Sequence, residues 1–408
     1  MRYRFGTSGI RGEYPSFINE ELLFKLGQVI SERFSKVYVG MDSRKSSEFL
    51  LQSLIQGLLI NDLEVFNFGL APVGAAALIS KKGLTIYITA SHNPFSHNGF
   101  KIFYDGGEIY GNLEKTIEKE LNIPKSISYE ERGIVKEINL EPEYVKKLLF
   151  LEKGSSKVLL IPNGSSKIIL PWILNNLGHR VKVINESYPI EEYDRRKIKR
   201  MILENKSHIG ILLDCDGDRA VIFDENGDEV QKDVQLNIAI DYLKPNSLVL
   251  TVESAKSSSS IIKNTIITKV GSKYVGKVLK ETKAEFGGEP AGEFIYPSLS
   301  LCPDGIATAL LFLKILKKEK ISALKNKFKI PAISREKYKV KDKEFIMKKI
   351  EKELKKEYKN LNLEDGIRID SSDGFVLIRP SGTESLIRLT YENFKEINKI
   401  KDIISKNI

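Results

Sequence analysis

The sequence predicts an α/β fold: three similar mixed-sheet α/β domains followed by a smaller C-terminal α+β domain. Two observations predict it. One unit recurs along the first three quarters of the chain: an apolar strand, a polar turn, a helix-periodic stretch and a second strand. Near residue 333 that pattern stops and a strand, a basic helix and a hairpin take over. Length supports the division, because 408 residues exceed what one hydrophobic core holds. The expected domains are 1–140, 141–240, 241–332 and 333–408.

Taken in order, KVYVGMDSRKSSEFLLQSLIQGLLINDLEVFNFG (36–69) is the first copy of the unit, with Ser46 and Ser47 in its turn. KVLLIPNGSSKIILPWILNNLGHRVKVIN (157–185) is the second, with Ser165 and Ser166 there, and SLVLTVESAKSSSSIIKN (247–264) opens the third. Strands alternating with helices argue for βαβ units, and the spacing is too long for a solenoid. The turn serines read first as helix N-caps. In the tail, DKEFIMKKIEKELKKEY (342–358) is a basic helix, GIRIDSSDGFVLIRP (366–380) a hairpin, and LIRLTYE (386–392) a strand before a last helix.

Composition excludes several classes. Hydrophobic residues make up 41% and charged residues 29%, an ordinary globular balance with no apolar run long enough to span a bilayer. The N-terminal MRYRFGTSGIRG does not read as a signal peptide. Two cysteines, Cys215 and Cys302, make no disulfide framework, and a cytoplasmic location is expected. The net charge of +10 is spread over helices where Lys and Glu alternate, which reads as solvated helix surface and not as a nucleic-acid footprint. No nucleic-acid or membrane partner is expected.

Four polar loops carry the chemistry. TASHNPFSHNGFK (89–101) places two of the chain's four histidines around Ser91. Neighbours in one loop rarely align a hydroxyl and an imidazole for hydrolysis, and no GxSxG elbow is present. DCDGDR (214–219) sets Asp214, Asp216 and Asp218 between two apolar strands. Oxygen-only ligands of this kind select a hard cation, Mg²⁺ or Ca²⁺. An EF-hand is excluded, since Arg219 stands where its glycine belongs and the flanks are β-patterned. FGGEPAGEF (286–294) combines glycines with Glu289 and Glu293, acceptors for hydroxyl groups. RPSGTES (379–385) joins Arg379, the hydroxyls of Ser381 and Thr383, and backbone N–H groups near Gly382 in a natural anion nest. Together they suit phosphoryl transfer on a sugar, with Ser91 as covalent carrier.

In these loops, and in FGTSGIRG and VGMDSRKSS before them, the chain resembles the α-D-phosphohexomutases: the phosphoglucomutase, phosphomannomutase and phosphoglucosamine mutase superfamily. The motifs keep the family's order over the whole length. The resemblance implies three similar domains and a smaller fourth around a central cleft. It implies a phosphorylated Ser91 and Mg²⁺ held by Ser91, Asp214, Asp216 and Asp218. Arg11, His92, Lys101 and Arg219 are expected around the reacting phosphate, with Lys101 handling a proton. Glu289 and Ala291 would lie in the sugar loop, and Arg379, Ser381, Gly382 and Thr383 would clamp the distal phosphate. The implied activity moves a phosphoryl group between the 1- and 6-positions of a glucose or mannose phosphate through a hexose 1,6-bisphosphate. Proline in GEP is similar to archaeal members that act on glucose or mannose phosphates, and some on glucosamine phosphate too. A phosphoglucosamine mutase and a non-catalytic sugar-phosphate binder are the alternatives, and a homodimer is compatible with either. The chain departs from the family pattern where Ala291 and Glu293 replace a serine and a histidine, where Ser272 replaces histidine or aspartate, and where Cys215 replaces glycine or proline.

Overall fold

A computed structural model describes residues 2–124, 132–372, 374–381 and 385–408. Four sheets follow one another along the chain. In the first, the strands run in the order Ile10–Glu13, His97–Tyr104, Leu84–Ile88, Lys36–Met41, Glu64–Leu70, Ile134–Glu137, with the short Gly107–Glu108 paired beside His97–Tyr104. The second is ordered Ala220–Phe223, Ile209–Leu213, Lys157–Ile161, Arg180–Val183. The third runs Glu293–Ile295, Phe286–Glu289, Leu248–Thr251, Thr265–Thr268.

These three sheets share one plan. Two parallel neighbours flank the first strand of each recurring unit, and the second of them turns back as an antiparallel hairpin. The expected threefold similarity is therefore a similarity of topology. In each case the hairpin turn is one of the chemical loops: 89–96 in the first sheet, 214–219 in the second, 290–292 in the third. Each lies at the carboxyl end of a strand beside the unit's first strand, the place where open α/β sheets present their ligands. The fourth sheet is antiparallel, ordered Ile333–Lys339, Leu386–Glu392, Phe375–Pro380, Ile367–Asp370. Its hairpin from Pro380 to Leu386 carries the RPSGTES loop, of which Gly382 and Thr383 lie outside the described residues.

The fourth sheet has a core of its own and the first has one on part of its surface, but the second and third share one continuous core that Tyr38, Phe68, Tyr87 and Phe103 of the first also join. The helix Gly305–Leu316 explains why. Its sequence, GIATALLFLKIL, is apolar on every side, and such a helix must be covered all round. It belongs by sequence to the 241–332 segment, yet packs on the strands Ile209–Leu213 and Ala220–Phe223 of the second sheet. Asp304 caps it through Ala307 N–H (2.8 Å), and Tyr144 Oη donates to the same carboxylate at 2.8 Å. The fourth domain is tied to the third by Arg368, whose guanidinium donates to Val252 O (2.5 Å) and Ser254 O (2.8 Å).

The turn serines do not act as N-caps. Ser46 stands before the helix Ser47–Leu58 but makes no side-chain cap bond. Asn98 Nδ2 donates to both Ser46 Oγ (2.8 Å) and Ser47 Oγ (3.1 Å), and Ser47 donates to Asp42 Oδ1 (2.8 Å). Ser165 Oγ and Ser166 Oγ bond the carbonyls of Cys215 and Asn163. Carbonyls and carboxylates of neighbouring loops claim these hydroxyls before the helix ends can.

Candidate active site

Ser91 ends up buried, in a left-handed backbone conformation (φ 52°) that non-glycine residues rarely hold. Arg44 holds it there. Its guanidinium donates to the carbonyls of Ser91 (2.5 Å), Asn93 (2.7 Å), Pro94 (2.7 Å) and His97 (3.0 Å). Asp42, fully buried, fixes Arg44 in turn, with Nε at 3.2 Å, and accepts from Thr89 Oγ1 at 2.8 Å. The loop around Ser91 is thus wrapped on one arginine. The sequence reading gave neither residue a role; the only signal was Asp-x-Arg directly after a buried strand.

The aspartate loop is held from three directions. Its carbonyls at Cys215, Asp216 and Gly217 accept from the N–H groups of Ser165 (3.0 Å), Val73 (2.9 Å) and Gly305 (2.9 Å), each in a different part of the chain. Gly305 is required there, since a Cβ would come within 2.7 Å of Arg219 backbone atoms. This pinning carries Asp214 Oδ2 to 3.3 Å from Ser91 Oγ, although 123 residues separate them. One carboxylate oxygen from each of Asp214, Asp216 and Asp218 lies within 4.8 Å of the others. All three residues are buried.

Lys101 reaches into this acid cluster, with Nζ 2.9 Å from Asp216 Oδ2 and 2.8 Å from Asp218 Oδ2. Burial opposes its charge, but the two carboxylates outweigh that and hold it protonated. Burial would likewise raise Asp218, yet Lys101 and Arg219 bring it below the ordinary carboxylate range. Asp214 goes the other way, pushed up by burial and then by the charges of Asp218 and Asp216. One ammonium does not satisfy three buried acids. Asp216 Oδ1 and Asp218 Oδ1 are buried without a hydrogen-bond partner. Buried hard oxygens without a hydrogen bond, one of them only 3.6 Å from Arg219 Nε, beside a third carboxyl and a serine oxygen suit a divalent cation such as Mg²⁺.

A cavity of about 270 Å³ opens beside this centre, lined by Arg11, His92 and Arg219 together with Glu253, Glu289, Ala291 and Glu293, with Ser272 and Arg335 also on its wall. Arg11 Nε is buried and unpartnered. His92 Nδ1 is 3.4 Å from Ser91 Oγ. Burial, then the charges of Arg219 and Arg11, lower the imidazole to about 3, so it is neutral. Glu289 accepts from Gly271 N–H (3.0 Å) through one oxygen and has no partner on the other. Arg219 Nε donates to Glu293 Oε1 at 2.9 Å, and an Nη of the same arginine also contacts that oxygen. Arg379 is not directed at open solvent: it pairs with Asp365 (2.8 Å) and with Glu253 (3.5 Å), a residue of the cavity wall. Ser381 is buried. Arg335, on a C-terminal strand with no motif around it, gave no sequence signal.

Hairpin loops of the three α/β repeats meet in one acid, cation and hydroxyl cluster and the cavity beside it, and Arg379 of the fourth unit pairs with Glu253 on that cavity's wall. Family models agree. Phosphoglucomutase/phosphomannomutase α/β/α domain I matches residues 2–127, α/β/α domain III matches 232–329, and the C-terminal domain matches 336–406. The chain belongs to the α-D-phosphohexomutase superfamily, a family of enzymes. Among curated relatives, the probable phosphoglucosamine mutase of Pyrococcus furiosus is 34% identical over 95% of this chain and 93% of its own. That of Thermococcus gammatolerans is 32% identical over 98% and 96%, and the phosphoglucosamine mutase of Thermosipho africanus is 32% identical over 100% and 99%. A phosphoglucomutase/phosphomannomutase family protein of Burkholderia thailandensis shares the fold at 20% identity, with a TM-score of 0.84 over 98% of this chain and 96% of its own. The N-acetylphosphoglucosamine mutase of Aspergillus fumigatus, solved with GlcNAc-6P and magnesium, shares it at 14% identity and 0.62 over 100% and 95%.

Proposed function

We propose that this enzyme interconverts the 6- and 1-phosphates of glucosamine through phospho-Ser91 and a hexosamine 1,6-bisphosphate. The observation that carries the substrate is the naming of full-length relatives at 30% identity or more as phosphoglucosamine mutases. They favour the amino sugar over the glucose or mannose phosphate that the motifs first suggested.

In this reading Ser91 gives its phosphoryl group to the free hydroxyl of the bound monophosphate and takes the other one back after the sugar turns over. Mg²⁺ on Asp214, Asp216, Asp218 and a phosphoserine oxygen would supply charge neutralisation at the transferring group. Arg11 and Arg219 face the same group from the cavity and stabilise its equatorial oxygens. Lys101, held protonated, offers charge and a proton donor and not a base. Glu289 accepts sugar hydroxyls. Arg379 and Ser381, with Gly382 and Thr383, hold the distal phosphate, for which Arg379 exchanges an acidic partner.

A substrate panel with added Mg²⁺ and bisphosphate tests this. Glucosamine 6-phosphate is expected to give the highest kcat/KM, with glucose and mannose phosphates at least about tenfold lower. A preference for glucose or mannose phosphate overturns the substrate, and no turnover of any of them overturns the mutase.

A further inference from the structure

The sugar side of the cavity carries more negative charge than hydroxyl recognition needs. Glu289 and Glu293 face each other across the hairpin as register partners, and both are buried. Glu253 stands on the same wall. Arg219 engages Glu293 through a single oxygen, Oε1. Glu289 keeps Oε1 buried, unpartnered and beside the cavity. Burial and the neighbouring Glu293 raise the Glu289 carboxyl well above its ordinary range. Two adjoining buried carboxyls, with one guanidinium on Glu293 and none on Glu289, do not both ionise until a second positive charge arrives. Neutral sugar hydroxyls do not supply it; an ammonium does.

We propose that Glu293, acting with Glu289, is the specificity residue that seats the protonated 2-amino group of the sugar. The inference deepens the glucosamine reading and rests on it. A 2-hydroxyl at the same place forms no charge-assisted bond with the acid pair, so a glucose or mannose phosphate binds at a disadvantage. A 2-acetamido sugar, which is uncharged, shares that disadvantage. The other charged groups near the pair are Arg219, Lys232 and Glu253, with Arg11, His92 and Arg335 further along the cavity. Their action on the phosphate and hydroxyls common to two hexose phosphates cancels in a ratio of the two.

The test is the ratio of kcat/KM for glucosamine 6-phosphate to that for glucose 6-phosphate. In Glu293→Gln both values fall, because Arg219 loses its charged partner, but the ratio is expected to fall by at least about tenfold, the scale of one buried charge-assisted hydrogen bond. Wild-type enzyme gives a second measurement independent of how the variant folds. Its ratio is expected to decline as pH rises past the ionisation of the sugar amine, at about 8 by analogy with an α-amino group. A ratio unchanged in Glu293→Gln, or flat with pH in the wild type, overturns the seat while leaving the mutase and its preference standing. A wild-type ratio below one overturns the glucosamine reading itself.

Discussion

The two halves of the cavity are built on different terms. Around Ser91 the loop and its charges are held in place: Asp42 holds Arg44, Arg44 holds four loop carbonyls, and Lys101 holds two aspartates, leaving open Arg11 Nε and the acid oxygens that suit a cation. Around the sugar loop the charges are under-paired or paired with one another, as in Glu289 with its free oxygen and Arg379 with Asp365 and Glu253. A centre that performs one chemical step on a phosphoryl group gains from rigid preorganisation. A wall that must accept either end of a sugar needs charges a ligand completes.

The largest effect that tests this contrast is at the carrier. Ser91→Ala is expected to keep the fold and lower kcat by at least about 10⁴-fold, the scale lost when a covalent nucleophile is removed. Intact mass should show one phosphoryl group on wild type, discharged by substrate, and none on the variant. Activity within tenfold of wild type would mean that another group carries the phosphoryl. Next comes Arg44→Lys. A lysine cannot fork to four carbonyls, so the left-handed turn at Ser91 loses its anchor. A drop of about 100-fold in kcat is expected, with roughly 3 kcal/mol less stability from the disturbed buried pair. If kcat stays within about threefold, the loop does not depend on the arginine. On the recognition side the same exchange should behave differently. Arg379→Lys is expected to raise KM about tenfold with kcat nearly unchanged, the mark of binding shared by ground and transition states. A fall in kcat with constant KM would place Arg379 with the chemistry instead.

What the sequence disclosed follows the same division. The repeats were readable because each opens on a fully apolar strand, and the four loops because carboxylates, hydroxyls and glycines crowd into short polar segments. Which loops meet was beyond local pattern: Ser91 and Asp214 join only because Val73 and Gly305, far away in the chain, pin the aspartate loop. Lys101 was expected near the phosphoserine, but its two acid partners lie 115 and 117 residues on. Glu293 stood out as a replaced histidine, yet its partner Arg219 is visible only once two sheets meet. Arg335 has no motif, since an isolated arginine on a half-exposed strand is ordinary.

The smallest effect separates the halves by what each responds to. His92 is neutral because it is buried and then because Arg219 and Arg11 face it, with a pKa lowered to about 3. In the unfolded chain a histidine ionises near 6.5. Between those values the unfolded state binds more protons than the native state, so stability falls as pH drops below about 6.5. At pH 5 that amounts to about 2 kcal/mol from this one ring. Phosphorylation of Ser91, whose Oγ lies 3.4 Å from the imidazole nitrogen, places a negative charge of about −1.5 to −2 beside it and should raise its pKa. Denaturant unfolding of the phosphorylated and dephosphorylated forms at pH 7 and pH 5 reads the difference directly. The dephosphorylated form should lose more stability across that interval, whereas Glu289, in the sugar loop, should contribute equally to both. Equal losses in the two forms would mean that the imidazole does not sense the phosphoryl group, and that the rigid half of the site ends at Ser91 and the aspartates.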